Sequence, residues 1–341
     1  MTVFNEYKLN QYFKVFHTNI SLNQTRINRI TNAHTTLEDL LNKDEVIKPL
    51  FQNFYLQGSY ATHTAIRPQN GNEFDVDTVL LMSLSEDDEP KNIINLIASR
   101  LVSYDSYKDK IIIKDRCVRV NYQGDFHMDI VPAKPTDDEH ILIPSRKEGD
   151  WLEANPAGFI KWCQDINSEA DGKFTRVVKF IKYWRDRSVG KDTAPKSILL
   201  TTIIGKNIVG KNSDAESLVL TLEKTANNLD SILVDKEPYV ENPSLEGENL
   251  ARDWDKTKYD IFKTKLEKFA IDARSAYDDT DKESTIKKWQ DIFGSKDFPG
   301  ELSERAEMAD AIKAGSVLVS SKGILNTASG APLKEHRFFG E

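Results

Sequence analysis

The hydrophobic pattern changes period along the chain. Ile27, Ile30, Leu37, Leu40 and Leu41 recur at helical spacing behind Ser21, a candidate cap, so residues 1–50 read as helix. Between 54 and 131 the pattern becomes short β-like runs separated by turns. FDVDTVLLMSL (74–84) alternates at its start, and KIIIKD (110–115) is a second run. CVRVNYQ (117–123) and FHMDIVPA (126–133) are spaced to pair as a hairpin across Gly124-Asp125. PKNIINLIASRLVSY (90–104) reads as a helix between strands. Acidic clusters at 86–89 and 137–139 read as solvated loops.

Beyond Pro156 the period is helical. Val177, Val178, Phe180, Ile181 and Trp184 form one apolar stripe between Lys173 and Arg187. Segments 194–205, 213–235, 247–277 and 281–293 follow as helices, with Pro238 and Pro243 as breaks. From Pro299 the chain is rich in Gly, Ser, Ala and charge, and Ser316–Glu341 reads as a flexible tail. No internal repeat is present. The predicted class is α+β: a mixed lobe over 1–155 that includes the N-terminal helical segment, a helical lobe over 156–298, and a tail over 299–341. A cleft between two lobes is a natural place for a ligand.

Composition narrows this picture. The chain has 341 residues, 39% hydrophobic and 29% charged, as expected of a soluble globular protein. Acids outnumber bases 54 to 46, a net charge of −8, which disfavours a sequence-independent nucleic-acid coat. The apolar run Ser197–Gly205 is too short to span a bilayer, and MTVFNEYKLN lacks the pattern of a signal peptide, so no membrane partner is expected. Cys117 and Cys163 have neither metal nor redox spacing. Disulfide scaffolds and zinc ribbons are excluded, and a reducing cytoplasm is the expected compartment.

The candidate chemistry lies in Gln57-Gly58-Ser59-Tyr60 and Asp75-Val76-Asp77. On a strand the side-chain period is two, so Asp75 and Asp77 share a face while Phe74 and Val76 take the other. Asp-x-Asp alone is commonly a solvated strand edge. Asp129 changes this, because a carboxylate in the apolar run MDIVP is costly unless paired or ligated. A hard divalent cation with oxygen ligands would relieve the repulsion. His127 shares the face of Asp129 and reads as a support behind the carboxylates or, in preference, as a surface residue. Gly58 permits close backbone approach, and Ser59 offers a hydroxyl to phosphate oxygens. One decoy is set aside: Gly205-Lys-Asn-Ile-Val-Gly210-Lys211-Asn212 approaches a phosphate-binding loop but ends in Asn where a hydroxyl is required. The six histidines show no zinc-ligand spacing.

The pattern GSY…T-x-I…FDVD…DIVP resembles the nucleotidyltransferases of the DNA polymerase β-like superfamily. Within it, the chain is similar to the cGAS/DncV-like nucleotidyltransferases (CD-NTases) of bacterial anti-phage (CBASS) defence. The matching positions are Gly58-Ser59-Tyr60, Thr64, Ile66, Asp75, Asp77 and Asp129. In the helical half, Lys179-x-x-Lys182-Tyr183-Trp184, Lys196-Ser197, Asn242-Pro243, Glu248-Asn249-Leu250, Trp289 and Ile292-Phe293-Gly294 add to the likeness, which runs from about 50 to about 295.

The resemblance implies a polymerase β-like lobe, a mixed twisted sheet with helices, beside a helical lobe, with the active site in the cleft between them. It implies two Mg²⁺ ions, or Mn²⁺, held by Asp75, Asp77 and Asp129. Ser59 would contact nucleotide phosphates and Gln57 a base. Lys182, and one turn earlier Lys179, would hold phosphate from the cleft wall; a solvated helix face is the other reading of both. Ser197 would add a hydroxyl, or equally cap the following helix. The substrates implied are ATP and other NTPs, condensed into a cyclic di- or trinucleotide second messenger with release of pyrophosphate. Linear oligoadenylate synthesis, transfer to RNA or protein, and a non-catalytic nucleotide sensor are the alternatives. Partners implied are protein regulators or an effector activated by the cyclic nucleotide, with no stable nucleic acid. In some relatives a C-terminal glycine is conjugated to targets; here Glu341 follows Gly340.

Overall fold

The β-branched segments pair around two parallel strands. A computed structural model describes residues 6–69, 73–122, 126–136, 140–302, 317–319, 325–326 and 331–332. Two helices come first, α1 (Glu6–Ile20) and α2 (Gln24–Lys43). They are followed by β1 (Phe51–Leu56), the single turn α3 (Gly58–Ala61), β2 (Phe74–Met82) and α4 (Pro90–Val102). Then come β3 (Ile111–Ile113), β4 (Val118–Tyr122), β5 (Phe126–Pro135), β6 (Ile141–Ser145) and β7 (Asp150–Ala154). The sheet order is β1-β2-β5-β4-β3, extended by β6 and β7 off β5. β2 and β5 run parallel, with Asp77 opposite Asp129 and Asp75 opposite His127. The other pairings are antiparallel, including the β4–β5 hairpin expected from sequence.

One face of this sheet is covered by aliphatic side chains. Val76, Leu80, Val118, Val120, Met128 and Ile130 meet Ile30, Leu37 and Leu41 of α2 and Ile94, Ile97 and Leu101 of α4, all without solvent exposure. Period-two alternation therefore sends Asp75, Asp77, Arg119 and Asp129 to the opposite face.

The helical lobe comprises α5 (Pro156–Glu169), α6 (Lys173–Ser188), α7 (Ser197–Asn207), α8 (Asp214–Asn228), α9 (Lys256–Tyr277) and α10 (Lys282–Phe293). Its core is aromatic. Phe16 of α1 lies 4.5 Å from Phe293 and stacks at 5.4 Å on Phe180, and Trp289 stacks on Phe293 at 5.8 Å.

Four features depart from the sequence reading. First, α1 packs with the helical lobe through Leu9, Tyr12, Phe13, Phe16 and Ile20, while α2 packs on the sheet. The N-terminal segment is divided because its aromatic half matches one core and its aliphatic half the other. Second, the cap of α2 is Asn23, whose side chain accepts from the Arg26 amide at 3.0 Å. The Ser21 amide still bonds the His17 carbonyl and so closes α1 instead. Third, helix does not fill 213–235 or 247–277: α8 ends at Asn228, and Leu245–Asn249 pairs with Glu241–Asn242 before α9 begins at the Asp255 cap. Fourth, within the stretch read as a tail, Leu318–Val319 pairs with Leu325–Asn326 and with Ala331–Pro332, and Val317 is buried. The acidic segment 137–139, the Gly124-Asp125 turn and the C-terminal Gly340-Glu341 lie outside the described residues.

Candidate active site

A cleft of about 1150 Å³ opens between the two lobes. Its wall includes Gln57, Gly58 and Ser59, Asp75 and Asp77, and across from them Lys182 and Ser197. Seven of the expected residues, from both halves of the chain, are thus brought to one cavity. Asp129 lies behind this wall, 8% exposed.

The carboxylates are held by strand register. The Thr78 hydroxyl donates to the Asp129 carbonyl at 3.0 Å and locks β2 to β5. Gly58 has φ +64, and a Cβ there would lie 2.3 Å from Asp77 Oδ2. Only glycine lets the α3 backbone close on that carboxylate. The Gln57 amide donates to the Asp77 carbonyl at 2.8 Å, tying the Gly-Ser turn to the strand. Burial, reinforced by the charges of Asp129 and Asp75, pushes the Asp77 carboxyl up to about 7.

Arg119 is the residue that sequence reasoning missed. Its guanidinium donates to both oxygens of Asp129 at 2.7 Å and to Asp75 Oδ1 at 2.6 Å. The available signal was strand alternation: in CVRVN, Val118 and Val120 belong to the core, so Arg119 must face the other way, and it is registered opposite Asp129. His127 bridges Glu73 at 3.0 Å and Asp75 at 2.7 Å, a support behind the carboxylates rather than a surface residue, so Asp75 is anchored from two sides.

The donor set fits a hard divalent cation: three carboxylates from two adjacent strands on one face, one of them gripped by a glycine cradle. Among the described residues no three acidic, His or Cys side chains already surround one point, because Asp75 and Asp129 turn their oxygens to Arg119. The guanidinium supplies the positive charge between them.

The opposite wall is built from α6 and α7. Lys182 is fully buried and donates to Thr64, at 2.9 Å to the hydroxyl and 3.3 Å to the carbonyl. Burial, with Arg185 nearby, pulls its ammonium down to about 7. A solvated helix face is therefore not its environment. Lys179 instead turns away from the cleft to Ser21 at 3.2 Å and His17 at 3.5 Å, because its helical position faces α1. Ser197 is the first residue of α7, after the cap position Lys196, and its hydroxyl accepts from Arg185 at 3.2 Å. Gly205 lies inside α7, where a Cβ would strike the Trp162 ring, so the decoy glycine serves packing. Asn242 and Glu248 bond each other at 2.6 Å and also line the cleft.

Comparison with known proteins gives this arrangement a family. Residues 7–167 match the model for the Second Messenger Oligonucleotide or Dinucleotide Synthetase (SMODS) domain. A cyclic AMP-AMP-AMP synthase of Acinetobacter sp. is 27% identical over 95% of this chain and 94% of its own length. A c-di-GMP synthase of Roseivirga ehrenbergii is 26% identical over 94% of each. The chain is similar to the CD-NTases. The structure of the Bradyrhizobium diazoefficiens CD-NTase CdnG in complex with GTP shares the fold, with a TM-score of 0.72 at 19% identity over 88% of this chain and 98% of that one. CD-NTases are nucleotidyltransferases that use divalent metal ions. Among the described residues, no helix is long and apolar enough to cross a membrane.

Proposed function

We propose that this protein condenses ribonucleoside triphosphates, ATP among them, into a cyclic di- or trinucleotide and releases pyrophosphate. The observation that carries the reading is the set Asp75, Asp77 and Asp129 on paired strands, with the Gly58-Ser59 turn closed over Asp77 at a cleft of nucleotide size. The names of the relatives that cover nearly the whole chain support it.

Asp75, Asp77 and Asp129 are the residues that would hold two divalent ions, Mg²⁺ or Mn²⁺. When bound, the metal ions acidify the attacking ribose hydroxyl and neutralise charge on the triphosphate and departing pyrophosphate. The ribose oxygen bonds the α-phosphorus of a second nucleotide, and the bond from that phosphorus to the β-phosphate bridge breaks. Pyrophosphate leaves with the electron pair, and the hydroxyl proton passes to a carboxylate of the triad. A second attack of the same kind closes the ring. Ser59 contributes a hydroxyl to phosphate oxygens, and Gln57 faces a base. Lys182, fixed by Thr64, lies where an arriving phosphate favours its charged form. Ser197, oriented by Arg185, adds a hydroxyl on the same wall. The product signals in cytoplasmic anti-phage defence to a cyclic-nucleotide-activated effector, with protein rather than nucleic-acid regulators. The buried free thiols of Cys117 and Cys163 support a reducing compartment.

The test is incubation with all four NTPs and Mg²⁺ or Mn²⁺, beside the Asp75→Ala/Asp77→Ala variant. Products are treated with phosphatase and read by mass spectrometry. A phosphatase-resistant product absent from the variant is expected. Products that phosphatase trims to linear oligonucleotides would overturn the cyclic assignment.

A further inference from the structure

Asn242-Pro243 and Glu248-Asn249-Leu250 belong to one hairpin, in which Glu241–Asn242 pairs with Leu245–Asn249. The fold itself uses only some of these side chains. Asn249 is structural: its carboxamide oxygen accepts from the Val240 amide at 3.0 Å and the Ala251 amide at 2.9 Å. Leu250 is buried in the helical core. Glu248 is different. It stands on the wall of the cleft beside Asn242, with its side chain 27% exposed.

This carboxylate is aimed before any ligand arrives. Asn242 is almost buried, and its carboxamide oxygen accepts from the Ser244 amide at 3.0 Å. Its NH₂ group is thereby turned to donate to Glu248 Oε2 at 2.6 Å. Arg252 donates to Glu248 Oε1 at 2.9 Å. The hairpin is clamped in turn by Asn155, the cap of α5, which donates to the Ser244 carbonyl at 3.0 Å. The Ser244 hydroxyl donates back to the Asn155 carbonyl at 3.1 Å. A carboxylate offers about four acceptor positions, so about two stay open after the bonds from Asn242 and Arg252. A carboxylate only accepts, so the group that completes it must donate.

Position on the wall selects the donor. From Ser197 to Lys206, α7 rises about 13 Å. Lys206 donates to the Glu241 carbonyl at 3.2 Å, so the hairpin stands at the end of α7 away from Ser197. Ile198 and Thr201 line the cleft along the same helix. A nucleotide with its phosphates at Lys182 and Ser197 extends its sugar towards the hairpin, which keeps Glu248 apart from the like-charged phosphates. Ribose carries two adjacent hydroxyl donors whatever the base, and acidic residues of dinucleotide-binding folds bind a sugar hydroxyl in this way. We propose that Glu248 accepts hydrogen bonds from the 2′- and 3′-hydroxyls of this nucleotide, with Asn242 as its positioning residue, and so selects ribonucleotides over deoxyribonucleotides. This role rests on the cleft being a nucleotide site, as proposed above.

The experiment is calorimetric titration of the full-length protein with Mg²⁺ and two probes that do not react. One is the ATP analogue with a methylene between the α- and β-phosphates; the other is its 2′,3′-dideoxy form. The wild type is expected to bind the ribose probe about tenfold or more tightly than the dideoxy probe. Glu248→Gln keeps the side-chain length and an acceptor for Asn242. It is expected to weaken the ribose probe by about tenfold and to leave the dideoxy probe unchanged, which also shows that the variant is folded. Asn242→Ala is expected to act in the same direction with a smaller effect. Equal affinity of the wild type for the two probes, or equal weakening of both by Glu248→Gln, would overturn the role of Glu248. A guanosine form of the probe that the wild type prefers, with the preference lost in Glu248→Gln, would place a base there and overturn the sugar assignment. No binding of either probe by the wild type would overturn the reading of the cleft itself, and this role with it, so the two failures are distinguishable.

Discussion

The helical lobe and the sheet lobe differ in what fills the space between their elements. In the helical lobe, aromatic rings from α1, α6, α9 and α10 interlock around Phe293, and Trp289 is completely buried. In the sheet lobe the core is aliphatic, and the opposite face of the same strands carries Asp75, Asp77, Arg119 and Asp129 in mutual contact or repulsion. Stability and chemistry are therefore separated in space. The aromatic packing fixes where α6 stands, while the charged face presents Asp75 and Asp77 to the cleft. Substitutions in the two regions should move different observables.

The largest effect on activity is expected from Asp75→Ala/Asp77→Ala: product formation falls by roughly 10³-fold or more, by analogy with the loss of a main electrostatic element of a site. Melting temperature should not fall, because like charges have been removed; a clear drop would show that the carboxylates are structural. The converse variant is Phe293→Ala, expected to cost about 3–5 kcal/mol in urea unfolding through the cavity it leaves. If Phe293→Ala leaves stability intact, the aromatic core is not what holds the helical lobe.

Acid separates the lobes further. Burial and the charges of Lys179 and Arg176 pull His17 down from 6.5 to about 4, against a smaller opposite pull from Asp214. The unfolded chain therefore binds the proton first, so the stability from neutral His17 is complete above pH 6.5 and is lost as pH falls to about 4. The loss is at most about 3 kcal/mol, and His17→Leu should flatten it. In the sheet lobe, burial tends to raise Asp44, but hydrogen bonds from Arg100, Tyr104 and the Ile47 and Val46 amides outweigh it and hold the carboxyl at about 2. Its contribution is present above 3.8 and disappears only as pH falls towards 2. Two-wavelength unfolding across this range, following tryptophan in the aromatic core and far-ultraviolet dichroism, should show the helical lobe weakening first.

The smallest shift is expected from Arg119→Met. The metal-free protein should lose a few degrees of melting temperature, as Asp75 and Asp129 lose their shared cation, by about 1–3 kcal/mol. Mn²⁺ should then bind about tenfold tighter by paramagnetic resonance, since one competing positive charge is gone. Unchanged Mn²⁺ affinity would mean that Arg119 does not compete for the carboxylates.

Much of the site was legible because its residues carry local signals. Asp75 and Asp77 share a face through strand period, and Gly58-Ser59 announces a tight turn. Arg119 was legible only in part: alternation turns it from the core, but nothing local says that it reaches Asp129 and Asp75 together. Lys182 and Lys179 show the limit more sharply. One helical turn separates them, yet one meets Thr64 at the cleft and the other meets His17 and Ser21.

Sequence alone determined the α+β class and the strands that carry the carboxylates, and it pointed to residues of both halves of the chain, Gly58 and Lys182 among them, that meet at one cleft. These follow from periodicity and short motifs, which act over a few residues. Tertiary structure decided which lobe receives α1, which lysine faces the cleft, and that Arg119 stands among the carboxylates. It also brought Asn242 and Glu248, from a hairpin late in the chain, to the wall of the cleft. Such choices depend on packing between segments distant in the chain, where side-chain shape and charge compete for the same space and no local pattern records the outcome.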